Sequence, residues 1–187
     1  VELAVALAVA AVLLAVGVPN LGTFILDNRR TTMINDLVTD LTLARSEAMK
    51  RGVPVGVCKA NAAGDACDAT ANWQDGWVVF TDLDNDGSFA DDGDASLCEE
   101  EEECVLRVHA PLPFRGSLSF PRNRVDFDGR GFAAGLAGTF VFCDSRGVGD
   151  ARGRVLSNTG RLRATVDSDA DGIHEDGTGA ALTCPAS

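Results

Sequence analysis

Val1-Glu2-Leu3-Ala4-Val5-Ala6-Leu7-Ala8-Val9-Ala10-Ala11-Val12-Leu13-Leu14-Ala15-Val16-Gly17-Val18-Pro19-Asn20 opens the chain, and its reading decides the fold. From Leu3 to Val18 every residue is apolar or glycine, and Glu2 is the only charge beside them. As an α-helix rising ~1.5 Å per residue, this run extends roughly 24 Å, slightly short of a ~30 Å hydrocarbon core. Beyond Pro19 the apolar positions Ile34, Leu37, Val38, Leu41, Ala44 and Ala48 recur at the spacing of one helical face. Gly52 and Pro54 then supply a C-terminal stop. The pattern predicts one long helix in two parts. Residues 1–27 belong in lipid or a greasy bundle, residues 28–52 lie on a globular domain, and residues 53–187 form that domain.

A signal peptide or plain membrane anchor is the competing reading. A basic region ahead of the apolar run is missing, and the helical pattern continues past any small-residue cleavage site. Glu2 also suits neither, because a carboxylate in hydrocarbon costs several kcal/mol (roughly) unless it is paired. It calls for a positive partner, such as the terminal amine of a neighbouring subunit.

The remaining ~135 residues suffice for one core. The net charge of −12 argues against a generic nucleic-acid binder. The charge is unevenly placed, however. No Lys or Arg occurs from Asp65 to Glu103, whereas ten arginines stand against four aspartates from Arg107 to Arg163. The six cysteines, Cys58, Cys67, Cys98, Cys104, Cys143 and Cys184, form no C-x-x-C pair, and no histidine is spaced to complete a zinc site. Three disulfides in an oxidising compartment fit best. Fifteen pairings are open; joining each cysteine to its next neighbour along the chain gives Cys58–Cys67, Cys98–Cys104 and Cys143–Cys184.

Past Gly52 the signals are those of strands. They fall at Val53–Val57, Gly76–Thr81, Cys104–Val108, Ser117–Phe120 and Thr139–Cys143, with Glu99–Glu103 expected as a mobile, solvated excursion. Hairpin turns are expected at Asp128-Gly129-Arg130-Gly131, between Val125–Phe127 and Phe132, and at Ser157-Asn158-Thr159-Gly160, between Gly153–Leu156 and Leu162–Val166. The fold class is α+β, a long N-terminal helix followed by a disulfide-bonded antiparallel β domain.

The opening stretch resembles the mature N-terminus of type IV pilins and type II secretion pseudopilins, which keep a glutamate just inside a hydrophobic helix and a proline near its end. Glu2 and Pro19 match those positions. In that family the glutamate engages a neighbouring subunit's N-terminus, and an N-methylated aromatic residue usually lies a few places ahead of it. Three later motifs narrow the resemblance to the GspH/FimT family of minor pilins and pseudopilins. They are Ala44-Arg45-Ser46-Glu47-Ala48-Met49-Lys50-Arg51-Gly52; Trp73-Gln74-Asp75-Gly76-Trp77-Val78-Val79-Phe80-Thr81, running into Asp82-x-Asp84-x-Asp86-Gly87; and Gly160-Arg161-Leu162-Arg163.

The resemblance implies a structural subunit of a pilus or pseudopilus. It implies an inner-membrane anchor with a periplasmic domain before assembly, a surface pilus or periplasmic pseudopilus after it, other pilins as partners, and no small-molecule substrate. In competence-associated members a G-R-x-R motif at this place is implicated in DNA binding during uptake, so Arg161 and Arg163 are the residues it singles out.

The residues themselves support two candidate sites. Along the strand after Gly160, Leu162, Ala164 and Val166 alternate with Arg161, Arg163 and Thr165, which predicts an apolar face backed by an arginine face. Arg152 and Arg154 lie across the turn, and guanidinium presents a planar fork suited to phosphate. The plainer alternative is a charged outer strand that keeps a sheet edge soluble or pairs with the chain's own acidic loops. Asp82-x-Asp84-x-Asp86-Gly87 and Asp167-x-Asp169-x-Asp171-Gly172 both match the first half of a calcium-binding loop, and both also read as solvated turns. His109 and His174 are isolated, Trp73 and Trp77 suit a core, and no constellation for catalysis stands out.

Overall fold

In the computed structural model residues 2–89, 103–112 and 116–185 are described, without the side chains of residues 10, 12 and 14–20. Helix α1 runs Glu2–Arg51, 50 residues, and continues through Pro19. Its end follows the expected chemistry. Gly52 adopts φ +73° and its N–H returns to the Ala48 carbonyl at 2.8 Å, a left-handed stop that a Cβ would disfavour. Among the described residues no helix is long and apolar enough to cross a membrane; the expected membrane segment includes the residues whose side chains are not described.

The two parts of α1 differ in exposure. Met33, Ile34, Leu37, Leu41, Ala44 and Ala48 are buried, and Val38 packs against them. Leu3, Val5, Leu7, Val9, Leu13, Leu21, Phe24 and Ile25 are instead exposed by 44–76%.

Eight strands follow: β1 (Val55–Lys59), β2 (Trp77–Thr81), β3 (Val105–His109), β4 (Gly116–Ser119), β5 (Arg124–Phe127), β6 (Gly138–Asp144), β7 (Arg152–Leu156) and β8 (Leu162–Ala164). They make two four-stranded sheets, β3-β2-β1-β5 and β4-β6-β7-β8, in which every pairing is antiparallel. One hydrophobic core joins both sheets to α1 through Val55, Val57, Trp77, Phe127, Phe140, Phe142 and Leu156. Trp73, fully buried, meets Phe140 and Phe120 edge-on, and it completes its indole bond to the Arg122 carbonyl at 2.9 Å.

The disulfides Cys58–Cys67 and Cys143–Cys184 form as expected. The pair Cys98–Cys104 and the glutamate run Glu99–Glu103 involve residues outside the described set. One expected hairpin is corrected. The turn at Asp128–Gly131 does close, with the Gly131 N–H bonded to the Asp128 carbonyl at 2.7 Å, but no strand returns from it. β5 pairs with β1, and the chain crosses to β6 in the other sheet. Tertiary contacts decide this. The turn packs on the end of α1, where a Cβ at Gly129 would meet the Gly52 carbonyl at 2.7 Å, and Ala133 bonds to the Asn158 carbonyl.

Candidate functional site

The β7–β8 hairpin is built as its turn residues dictate. The Ser157 N–H bonds to the Arg161 carbonyl at 3.0 Å and the Gly160 N–H to the Ser157 carbonyl at 2.9 Å. Gly160 has φ +72°, and a Cβ there would stand 2.2 Å from the Gly131 carbonyl oxygen. Arg45 of α1 locks the two turns together, with Nε donating to Gly131 at 3.0 Å and Nη2 to Thr159 at 3.3 Å. Gly160 therefore shapes the hairpin and presents no chemistry of its own.

The register divides the arginines that the sequence groups together. Residues directly opposite in an antiparallel ladder share a face. Arg163 lies opposite Val155, and Val155 opposite Thr139. Arg154 lies opposite Ala164 and Phe140, and Arg152 opposite Phe142, on the face that carries the core. Arg163 thus points away from α1 and Arg161 is exposed in the turn just before β8, whereas Arg152 and Arg154 lie on the core-bearing face. Proximity across a turn in sequence is not a shared face when the offset is odd. Arg152 and Arg154 bond to nearby carbonyls, those of Gly149 and Ala151 and that of Gly153, and burial pulls the Arg154 guanidinium down from its ordinary value.

The expected apolar stripe on β8 is also corrected. Leu162 packs against the core, but Ala164 is exposed and Val166 is 55% exposed, while Thr165 is buried. Regular pairing stops at Ala164, and Thr165 turns inward because its hydroxyl accepts the Gly153 N–H at 2.9 Å. His174 Nδ1 lies within hydrogen-bond distance of the same hydroxyl and of the Thr165 carbonyl.

Six other arginines are committed. Arg30, Arg51, Arg107, Arg124, Arg130 and Arg146 each meet a carboxylate within 2.6–2.9 Å. Among the described residues Arg161 and Arg163 meet none. Arg163 borders an open cleft with Thr139, Val155, Asn158 and Asp176.

The two acidic loops, far apart in sequence, repeat one wiring. Asp82 Oδ2 accepts the Gly87 N–H, and Asp167 Oδ2 accepts the Gly172 N–H, both at 3.0 Å. Asp84 Oδ1 accepts from Asp86 at 3.0 Å, and Asp169 Oδ1 from Asp171 at 3.2 Å. Asp86 Oδ1 accepts from Ser88 at 2.6 Å, and Asp171 Oδ1 from Ile173 at 2.7 Å. The fourth residue of each loop takes a left-handed conformation, φ 59° at Asn85 and 63° at Ala170. Oxygens of Asp82, Asp84 and Asp86 lie within 4.8 Å of one another, as do those of Asp167, Asp169, Asp171 and Glu175.

Two charged contacts between α1 and the domain went unnoticed in the sequence. Arg146 reaches Asp144 at 2.6 Å, Asp27 at 2.9 Å and Asp150 at 3.2 Å, and Arg30 of α1 joins the same group. These carboxylates push the Arg146 guanidinium up from its ordinary value, the hydrogen bond to Asp144 being the chief cause. Asp40, fully buried on α1, accepts the Trp77 indole N–H at 2.9 Å, and Arg107 Nε stands 2.9 Å from its other oxygen outside hydrogen-bond geometry. Burial pushes the Asp40 carboxyl up. His109 stacks on Trp77 with ring centroids 3.9 Å apart. The signal was available: Asp40 follows the buried stripe residue Leu37 by three places, and a charge at that spacing asks for a partner.

Comparison with known proteins agrees with this architecture. A family model described as "Type II transport protein GspH" matches residues 33–168. Two crystal structures of the Pseudomonas aeruginosa type IV minor pilin FimU share the fold. The P21 form has TM-score 0.53 at 19% identity, covering 75% of this chain and 90% of that one; the P65 form has TM-score 0.51 at 19% identity, covering 73% and 92%. No curated protein matches the chain.

Proposed function

Because the chain belongs to the GspH family, we propose that it is a structural subunit, a minor pilin or pseudopilin, which assembles through the N-terminal part of α1. The observation that carries this reading is the row of exposed large apolar side chains from Leu3 to Ile25, beside a second half of the same helix that is buried. Each such side chain is worth about 1.5–3 kcal/mol when removed from water, so the row calls for lipid or for other helices. Before assembly the inner membrane would hold it, with the β domain in the periplasm. Afterwards the helices of neighbouring subunits would, in a pilus or pseudopilus. Glu2 then sets register by pairing with a neighbour's terminal amine, and Pro19 loosens the helix by removing one backbone donor.

Site-specific photo-cross-linking tests the assignment. A benzophenone side chain at Leu7 or Leu21 should give adducts with other pilin-like subunits in cells, and one at Leu83, exposed on the domain, should not. Adducts of equal yield at all three positions would contradict it.

A second reading, capture of DNA, is favoured by one observation: Arg163 on the outward face of β8 and Arg161 beside it are both exposed and lack carboxylate partners among the described residues. Binding of duplex DNA that weakens with salt and disappears in Arg161→Gln/Arg163→Gln would support it. Absence of binding at low salt would leave the strand a solubilising edge.

A further inference from the structure

The Asp82 loop has a feature that the assembly role does not use. Asp82 is 1% exposed, its Oδ2 is held by the Gly87 N–H, and its Oδ1 is buried without a hydrogen-bond donor among the described residues. A buried carboxylate oxygen left without a partner is costly, and interiors rarely tolerate one. The neighbouring guanidinium is already engaged: Arg124 gives Nη1 to the Asp86 carbonyl at 2.8 Å, and its Nε stands 2.9 Å from Asp126. Asp84 and Asp86 are exposed at their alternate positions, and bring their oxygens within 4.8 Å of Asp82. Three carboxylates this close repel one another unless something positive stands between them.

From the orphaned Asp82 oxygen and this converging set we propose that Asp82, Asp84 and Asp86 hold one calcium ion. The donor set is all oxygen, which excludes the softer metals that prefer imidazole or thiolate. Oxygens up to 4.8 Å apart can lie across an ion bonded at ~2.4 Å, the calcium range, whereas magnesium wants a tighter octahedron at ~2.0–2.1 Å. The first aspartate is oriented by the glycine N–H, leaving its second oxygen for the ion; water fills the remaining positions. The Asp167 loop repeats the same wiring, and Asp167 Oδ1 is likewise buried without a hydrogen-bond partner among the described residues, so its contribution has to be separated in the test.

The test is a calorimetric titration of the full chain in detergent micelles with CaCl2, after chelator treatment. Wild type is compared with Asp84→Asn/Asp86→Asn and with Asp169→Asn/Asp171→Asn. The first variant should bind one calcium fewer than wild type and lose part of the calcium-dependent rise in Tm; MgCl2 at the same concentration should give neither signal. Because both altered side chains are exposed, the calcium-free circular dichroism should match wild type. If it does not, Asp84→Asn alone should weaken the site at least about tenfold, since charge count tunes affinity. No heat from wild type, a stoichiometry unchanged in the first variant and an undiminished affinity in Asp84→Asn, or calcium binding lost only with the Asp167 loop would each overturn the assignment.

Discussion

Single residues show where the domain stores its charge. The Asp126 side chain on β5 is 16% exposed, with Oδ1 unbonded, Arg124 at 2.9 Å and Asp82 repelling it. Burial pushes its carboxyl up to about 6, against an unfolded value of about 3.9. The folded chain then binds this proton more tightly, so its contribution to stability is full below the unfolded value and is lost as the pH rises through about 6. The difference is on the order of 2–3 kcal/mol. In chelator the Tm should rise on acidification from pH 7 to 4.5, and Asp126→Asn should be the more stable at pH 7 and lack most of that rise. An unchanged pH response in Asp126→Asn would sink this account. Asp144 has the opposite sign: Arg146 holds its carboxyl below the usual range, so its contribution is lost as the pH falls below about 4. Gly160 makes a second residue-scale prediction. Gly160→Ala, at φ +72° and 2.2 Å from a carbonyl, should cost at least ~2–3 kcal/mol in urea unfolding. Gly172→Ala, with left-handed φ but open space, should cost only about 1 kcal/mol. Equal losses would show that the contact with the Gly131 turn is unimportant.

Among the elements, α1 was the most legible, since a stripe of period 3.6 with a Gly-Pro stop allows little else. Most strands were legible to within about two residues, from their β-branched and aromatic runs. What failed were statements that depend on pairing. The Asp128 turn suggested a hairpin because Asp-Gly followed by Arg-Gly is good turn chemistry, yet only the tertiary seat against Gly52 shows that the chain crosses between sheets. Arg152 and Arg154 looked like companions of Arg161 and Arg163 because register cannot be read from spacing alone. The Arg146 clamp lies at sequence separations of 119 and 2 from its two closest carboxylates, and long-range ion pairs leave no periodic trace. Removing it should matter. Arg146→Ala leaves Asp144, 3% exposed, without its cation, and should destabilise the fold by about 3 kcal/mol. Arg130→Ala, whose partner pair is exposed, should stay within ~0.5 kcal/mol. Chemical denaturation of both variants checks the contrast.

At the scale of the whole molecule, the domain is a platform of two sheets fastened to the second half of one helix. The first half of that helix is left with its apolar side chains uncovered. Global charge misled least when read locally: the net −12 coexists with two exposed arginines that meet no carboxylate among the described residues and with two acidic loops. The acidic loops were visible as motifs, but the orphaned Asp82 oxygen that distinguishes a site from a solvated turn exists only in three dimensions. The central claim is that this chain is an assembly subunit whose helix inserts among others with Glu2 paired. Its most direct test is the amount of this chain in filaments sheared from cells, for wild type and Glu2→Ala expressed equally. The account predicts wild-type chain in the filament fraction and Glu2→Ala retained with the membranes. Equal incorporation of the two would contradict it.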